Sequence, residues 1–326
     1  MPEKEQQPAS DQVCDSWQQF VQGLLGVLLL AGTVAVVRYY APPPVSDLSH
    51  EVQELTRQVQ QLRQEQTMPT MVLNRYRNSI CYIYGVYEVS FLDGRVGLRA
   101  RLSGTGFVVA KGLLATNRHV AEPWYGDPDA EVLIHRGAKA RLEKLLAFFP
   151  GVPTPVVITP AVLSAKGDLA VLRMQDSLAI QQVTPLPLAE KPSRPGELVA
   201  VIGYPMGIAG MVAKSPTPVY ERLAYRHDDI GAANELAALS LIRPSATCGH
   251  LGDVVGDKLI YDAPTAHGGS GGPVFNARGE VIGVNSAYLD GFSGGTLGIS
   301  ADALRPLVDA AQKSQSTVTG SQPQHQ

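Results

Sequence analysis

Thr265-Ala-His-Gly-Gly-Ser-Gly-Gly-Pro-Val274 sets one serine inside a glycine cluster, immediately before a short apolar run. Glycines at 268, 269, 271 and 272 allow a sharp turn with positive φ and leave room for a carbonyl group to approach. The amides of Gly268, Gly269 and Ser270 are then candidates to converge on a developing negative charge. Ser270 reads as a candidate nucleophile, and the rest of the chain must supply the groups that activate it.

Upstream, Gly104-Thr-Gly-Phe-Val-Val-Ala-Lys-Gly-Leu-Leu-Ala-Thr-Asn-Arg-His119 reads as two apolar strands joined at Lys111-Gly112, with His119 where the second one ends. Between it and Ser270, Lys166-Gly-Asp168-Leu-Ala-Val-Leu-Arg173 puts a carboxylate just before a strand-forming run. A serine hydroxyl needs a neutral imidazole to take its proton, and the imidazole needs an acceptor on its other nitrogen. His119 is the candidate base and Asp168 its orienter. The order His, Asp, Ser matches chymotrypsin-like enzymes, not subtilisins or α/β-hydrolases.

On these motifs the chain resembles trypsin-like serine proteases of the HtrA (Deg) type, over about residues 75 to 313. The matching pieces are 104–107, Thr116-Asn-Arg-His-Val120, 168–172, 268–273 and Gly279-Glu-Val-Ile-Gly-Val-Asn285. The resemblance implies general base His119, partner Asp168, nucleophile Ser270 and an oxyanion hole at Gly268, Gly269 and Ser270. It also implies a substrate pocket with Pro264 and Thr265 at its floor, His267 at its entrance, and walls from Asn285, Ser286, Ala287, Gly298 and Ile299. Those positions carry no acidic residue, which disfavours a buried Arg or Lys and points to cleavage after small or aliphatic residues. HtrA-type proteases usually have PDZ modules after the protease, whereas here a helix at 301–311 and a disordered tail at 314–326 are expected.

Short apolar runs punctuated by Gly and Pro, among them 79–91, 96–102, 105–110, 130–135, 197–203, 273–276, 280–287 and 296–300, are strand-length. They imply an all-β domain at 70–313 made of two antiparallel six-stranded β-barrels, one at about 75–190 and one at about 196–300, joined near Glu190-Lys-Pro-Ser-Arg-Pro-Gly196. About 240 residues suffice for such a paired core. Arg141–Phe149 and the proline-rich 150–160 read as an insertion. The long 206–251 segment, alanine-rich from Ile230 to Ile242, is either a helix over the cleft or a surface excursion.

The amino-terminal quarter differs. After a polar segment at 1–19, residues 20–40 read as a transmembrane helix, because Phe20–Val37 is apolar apart from Gln22 and Thr33. An uncleaved anchor is favoured over a signal peptide by the acidic preceding region and the lack of a clear Ala-x-Ala site. Lys4 and Arg38 nearly cancel in the positive-inside balance, so the family resemblance places the protease domain in the periplasm or otherwise outside the cytoplasm. Past Pro42-Pro-Pro44, residues 45–66 carry Val45, Leu48, Val52, Leu55, Val59 and Leu62 at heptad spacing, a short coiled coil that forms a dimer or a trimer.

A net charge of −3 without a sustained basic run gives no footprint for nucleic acid. Cys248-Gly-His250 lacks a supporting cluster, so no metal and no cofactor are expected. Cys81 and Cys248 either pair or lie apart as buried thiols; Cys14 precedes the span. The reading is a membrane-anchored serine endopeptidase acting on polypeptides through an acyl-enzyme, in quality control or regulated proteolysis. The alternative is a latent protease-fold scaffold.

Overall fold

The computed structural model describes residues 9–40, 45–288 and 295–319. Residues 1–8, the Pro42-Pro-Pro44 spacer with Ala41, and 320–326 lie outside the described residues, as do 289–294. The chain divides into units of residues 1–61 and 62–326.

In the first unit, α1 (Ala9–Tyr40) contains a 22-residue stretch, Gln19–Tyr40, that is long and apolar enough to cross a membrane. At 1.5 Å per residue that stretch is about 33 Å long, against a hydrocarbon core of about 30 Å. The next helix, α2 (Val45–Tyr76), begins in this unit, and Val52, Leu55 and Val59 are exposed along it in the single chain. The helix does not stop at 66. Met68, Val72 and Tyr76, one turn apart, are buried in the second unit, where Tyr76 stacks on Phe275 at 5.3 Å. That burial holds the last turns helical even with Pro69 inside.

The second unit contains two closed six-stranded antiparallel barrels. The first consists of β1 (Ile80–Ser90), β2 (Val96–Ala110), β3 (Leu113–Thr116), β4 (Lys139–Phe148), β5 (Val156–Leu163) and β6 (Ala170–Met174), closing in the order β1-β2-β3-β6-β5-β4. The second consists of β7 (Leu198–Gly203), β8 (Ser245–Val255), β9 (Lys258–Tyr261), β10 (Pro273–Asn276), β11 (Val281–Tyr288) and β12 (Thr296–Ser300), closing as β10-β11-β12-β9-β8-β7. Helices α3 (Arg118–Ala121), α4 (Pro128–His135) and α5 (Ser177–Gln182) belong to the first half. In the second half, α6 (Gly207–Ala213), α7 (Thr217–Leu223) and α8 (Asp229–Ala238) follow β7, and α9 (Ala301–Thr319) ends the described chain. One apolar core runs through both barrels, with Tyr82, Phe107 and Phe148 from the first meeting Ile202, Tyr204 and Phe275 from the second. Tyr204 Oη donates to the Ile80 carbonyl at 3.0 Å across that junction.

Four local expectations change. Residues 130–135 form helix α4, not a strand: Asp127 Oδ1 accepts from the Asp129 and Ala130 amides and Pro128 occupies the first turn, a start signal that outweighs the β-branched content. The supposed insertion at 141–160 supplies β4 and β5, and Pro160 is tolerated where the β5–β6 register shifts between Pro160 and Val162. The 206–251 segment contains three helices and the start of β8. Asp228 caps α8 through the Gly231 amide, and Ala232, Ala233, Leu236 and Ala237 pack its inner face into the core. Lastly, α9 continues past Ala311 to Thr319, so helix occupies the first part of the expected tail.

Candidate active site

Barrel one presents His119 on the single turn of α3, directly after β3, and Asp168 on the loop between β5 and β6. The Asp168 loop is shaped locally by Ser164, whose hydroxyl accepts from the Lys166 and Gly167 amides at 3.3 and 3.2 Å. Asn117 Nδ2 donates to the Asp168 carbonyl at 2.9 Å, tying the two segments together. Beyond His119, Arg118 bridges Glu122 at 2.8 Å, donates to the Ser164 carbonyl and lies 4.2 Å from the Tyr125 ring centre.

His119 Nδ1 lies 2.8 Å from Asp168 Oδ2, and the His119 amide donates to Oδ1 at 2.9 Å. Ser286 adds a third bond, its hydroxyl donating to Oδ2 at 2.8 Å. Burial works against the Asp168 charge. The imidazole, the His119 amide and the Ser286 hydroxyl outweigh it and hold this carboxyl below its ordinary range. An ionised carboxylate only accepts, so Nδ1 carries the proton and Nε2 keeps its lone pair.

Ser270 arrives from barrel two on the loop between β9 and β10. Gly268 and Gly271 have φ of 89° and 87°. A side chain at Gly271 would run into the Thr105 carbonyl and the Thr116 hydroxyl, and one at Gly268 would lie 2.5 Å from the Tyr204 carbonyl oxygen. The Ser270 carbonyl accepts from the Thr105 amide at 2.8 Å. Its hydroxyl donates to the Ser286 carbonyl at 2.9 Å, so the nucleophile oxygen rests on β11 and must rotate to reach the imidazole. Among the described residues, the Gly268 and Ser270 amides have no acceptor within the chain. The Gly269 amide differs from expectation: it donates to the Ala266 carbonyl at 2.9 Å, closing a turn, and is not free to bind an anion.

The expected pocket residues come together around the same loop. Asn285, fully buried on β11, donates through Nδ2 to the Gly269 carbonyl at 2.9 Å and to Thr265 Oγ1 at 3.2 Å. Gly298 pairs with Asn285, Ile299 with Val284, and Ala287 with Leu297 across the β11–β12 ladder. Pro264 and His267 are exposed, and Ser286 turns to the Asp168 carboxylate. Tyr261 is a residue that the sequence reading missed. It is fully buried, its hydroxyl donates to Asn285 Oδ1 at 2.7 Å, and its ring lies against Gly298, where an added Cβ would meet Cε1 at 3.1 Å. Its phenol fills the space behind Asn285 and Gly298.

Cys81 is buried and Cys248 exposed, both as free thiols. The expectation of a second buried thiol therefore fails for Cys248, which lies at the surface of β8 in the other barrel. Burial pushes the Cys81 thiol far up, out of its reactive range.

The sequence profile described as trypsin-like peptidase domain matches residues 104–284, more than half of the chain. The probable periplasmic serine endoprotease DegP-like of Rhizobium meliloti (strain 1021) is 29% identical over 227 residues, covering 68% of this chain and 35% of its own. The mitochondrial serine protease HTRA2 of Bos taurus is 29% identical over 224 residues, 68% of this chain and 39% of its own. The glutamyl endopeptidase of Staphylococcus epidermidis is 27% identical over 242 residues, 70% of each. The chain thus spans little more than a third of the length of the first two relatives. Among solved structures, the serine endoprotease from Yersinia pestis aligns with 74% of this chain and 66% of its own at 17% identity and a TM-score of 0.48.

Proposed function

The chain belongs to the trypsin-like peptidase family, and from that premise we propose that it is a membrane-anchored serine endopeptidase. His119 is the general base, Asp168 its partner and Ser270 the nucleophile. The observation that carries this reading is the Nδ1–Oδ2 contact of 2.8 Å, which leaves Nε2 as the free base beside a serine loop with two amides that have no acceptor among the described residues. In the reaction, Ser270 Oγ leaves the Ser286 carbonyl for Nε2, gives up its proton and adds to the scissile carbonyl. The Gly268 and Ser270 amides receive the oxyanion. The imidazolium, balanced by Asp168, then protonates the departing amine, and water releases the acyl group by the same steps in reverse order.

A preference for small or aliphatic side chains before the scissile bond is supported by the buried Tyr261 ring behind Asn285 and Gly298. The absence of a carboxylate among the pocket positions supports it too. Anchoring is supported by Gln19–Tyr40, and a location outside the cytoplasm by the periplasmic DegP-like relative. The exposed Val52, Leu55 and Val59 support self-association through the heptad seam as a dimer or trimer. Substrates are exposed polypeptides. One observation favours the latent reading: the Ser270 hydroxyl rests on the Ser286 carbonyl.

The full chain in detergent micelles, treated with a fluorophosphonate, should label at Ser270, and Ser270→Ala and His119→Ala should abolish labelling. A peptide-library digest should show cuts after Ala, Val or Leu. No labelling would remove the protease reading, and cuts dominated by Arg, Lys or Glu would remove the pocket assignment.

A further inference from the structure

A glycine-rich loop is free to turn its peptide planes, and each plane that flips replaces an N–H by a C=O. Three planes matter around Ser270. In a trans peptide the carbonyl and the amide point in opposite directions, so holding the carbonyl fixes where the next amide points. The His267 carbonyl accepts from the Met206 amide at 2.6 Å, which directs the Gly268 N–H away from that contact. The Gly268 carbonyl accepts from Thr105 Oγ1 at 2.6 Å. The Gly269 carbonyl accepts from Asn285 Nδ2 at 2.9 Å, which directs the Ser270 N–H the other way. All three carbonyls are therefore pinned, and the two amides of this loop that have no acceptor among the described residues are those opposed to the pinned His267 and Gly269 carbonyls.

Thr105 ties this loop to barrel one through both its side chain and its backbone. It is fully buried on β2 of barrel one. Its hydroxyl donates to the Gly268 carbonyl and accepts from the Tyr204 amide at 3.0 Å, using both capacities of a single oxygen. Its amide holds the Ser270 carbonyl at 2.8 Å, and its carbonyl takes the Thr116 hydroxyl at 2.7 Å. The Tyr204 amide begins the turn that places Met206 in the left-handed region, at φ 62°, where its own amide reaches His267. One hydroxyl thus pins Gly268 directly and, through Tyr204, supports the turn that pins His267.

We propose that Thr105 is the positioning residue that presets the anion-binding amides of Gly268 and Ser270. The proposal rests on the serine-protease reading above. Thr105→Val keeps the shape and removes the hydroxyl, leaving the Gly268 carbonyl and the Tyr204 amide without their shared partner. Thr105→Ser keeps the hydroxyl.

The test uses the full chain in detergent micelles, a fluorogenic peptide amide with Val before the scissile bond, a fluorophosphonate, and amide hydrogen exchange over 266–272. For Thr105→Val, kcat and the labelling rate should fall about 10²-fold, the size of effect seen when one oxyanion donor is lost. KM should stay within about threefold of wild type, since oxyanion stabilisation acts on the transition state, and exchange over 266–272 should accelerate. Thr105→Ser should stay within about threefold of wild type in every reading. Thr105→Ala, expected to behave as Val does, serves if melting shows that the valine variant is unfolded. Wild-type kcat in the valine and alanine variants, or equal losses in Val and Ser, would overturn the role of Thr105 while leaving the protease reading intact. A wild-type chain that does not label would overturn both.

Discussion

Asp168→Asn isolates the part of the site that fixes the imidazole, and the structure dictates how the new amide must sit. Asp168 Oδ1 accepts from the His119 amide at 2.9 Å, while Oδ2 faces His119 Nδ1 and the Ser286 hydroxyl, both at 2.8 Å. An asparagine here has one oxygen and one NH2. Turning the NH2 towards the His119 amide would oppose two donors and leave the amide unsatisfied, at a cost of about 1–3 kcal/mol. The oxygen therefore takes the Oδ1 place and the NH2 the Oδ2 place. Ser286 can rotate to accept, but the imidazole must accept at Nδ1 and carry its proton on Nε2, the nitrogen that has to receive the Ser270 proton. The base is thus lost without loss of shape. The corresponding exchange in the serine-protease template lowers kcat about 10⁴-fold, or about 5.4 kcal/mol of transition-state stabilisation at 1.36 kcal/mol per tenfold. The assay is kcat on the valine peptide amide, with circular dichroism melting to show that the variant is folded. A folded Asp168→Asn chain retaining a tenth of wild-type kcat would refute the tautomer argument.

Other expectations are more local. Tyr261→Leu should enlarge the space behind Gly298 and raise kcat/KM for Phe over Ala before the scissile bond about tenfold or more; an unchanged ratio would clear Tyr261 of any role in selection. The folded Asp168 carboxyl titrates below its unfolded value of about 3.9, so its contribution to stability is complete above that value and disappears as pH falls through the lower folded one. The melting-temperature advantage of wild type over Asp168→Asn should accordingly shrink below about pH 4, and an advantage that grows with acid would reverse the sign. Iodoacetamide treatment followed by peptide mapping should modify Cys248 and spare buried Cys81; equal modification in the folded chain would contradict the burial. Leu55→Lys together with Val59→Lys should shift the sedimenting species towards monomer if the exposed seam is an interface, and an unchanged mass would leave that seam without this role.

Much of the site was legible because its demands fall on single residues or close neighbours. Gly271 must be glycine because its own Cβ would strike Thr105 and Thr116, and Asp168 stands at the entry to a buried strand whose apolar run is continuous. The barrels were legible where a strand alternates or is wholly apolar, as in β2 and β11. They were not legible at β4, where Lys139–Lys144 is largely exposed and only Leu145–Phe148 is buried throughout, or at β5, where Pro160 reads as a break yet falls at a register shift. Helix α4 was misread because Glu131-Val-Leu-Ile134 has strand propensity, while the deciding signal was the Asp127 cap and Pro128 before it.

Thr105, Tyr261 and Ser286 resist sequence reading for a different reason. Thr105 sits 163 residues from the Gly268 carbonyl it holds and 99 from the Tyr204 amide it accepts; Ser286 lies 118 from Asp168. Nothing local requires a hydroxyl at any of them. A threonine in β2 reads as ordinary strand composition, a tyrosine at the end of β9 as core, and a serine after Asn285 as pocket wall. Their significance arises only on folding, when closure of barrel two sets the Tyr261 hydroxyl 2.7 Å from Asn285 Oδ1 and the meeting of the two barrels brings Thr105 to the Gly268 carbonyl and Ser286 to Asp168. The chemistry-bearing His119, Asp168 and Ser270 need those partners to hold one geometry, because each lies on a loop or a single helical turn, where the ladder hydrogen bonds that fix β2 and β11 are missing. Substitutions at such supporting positions should therefore lower kcat with little effect on overall fold, whereas substitutions at Phe107, Ile202 or Phe275 in the shared core should lower stability first.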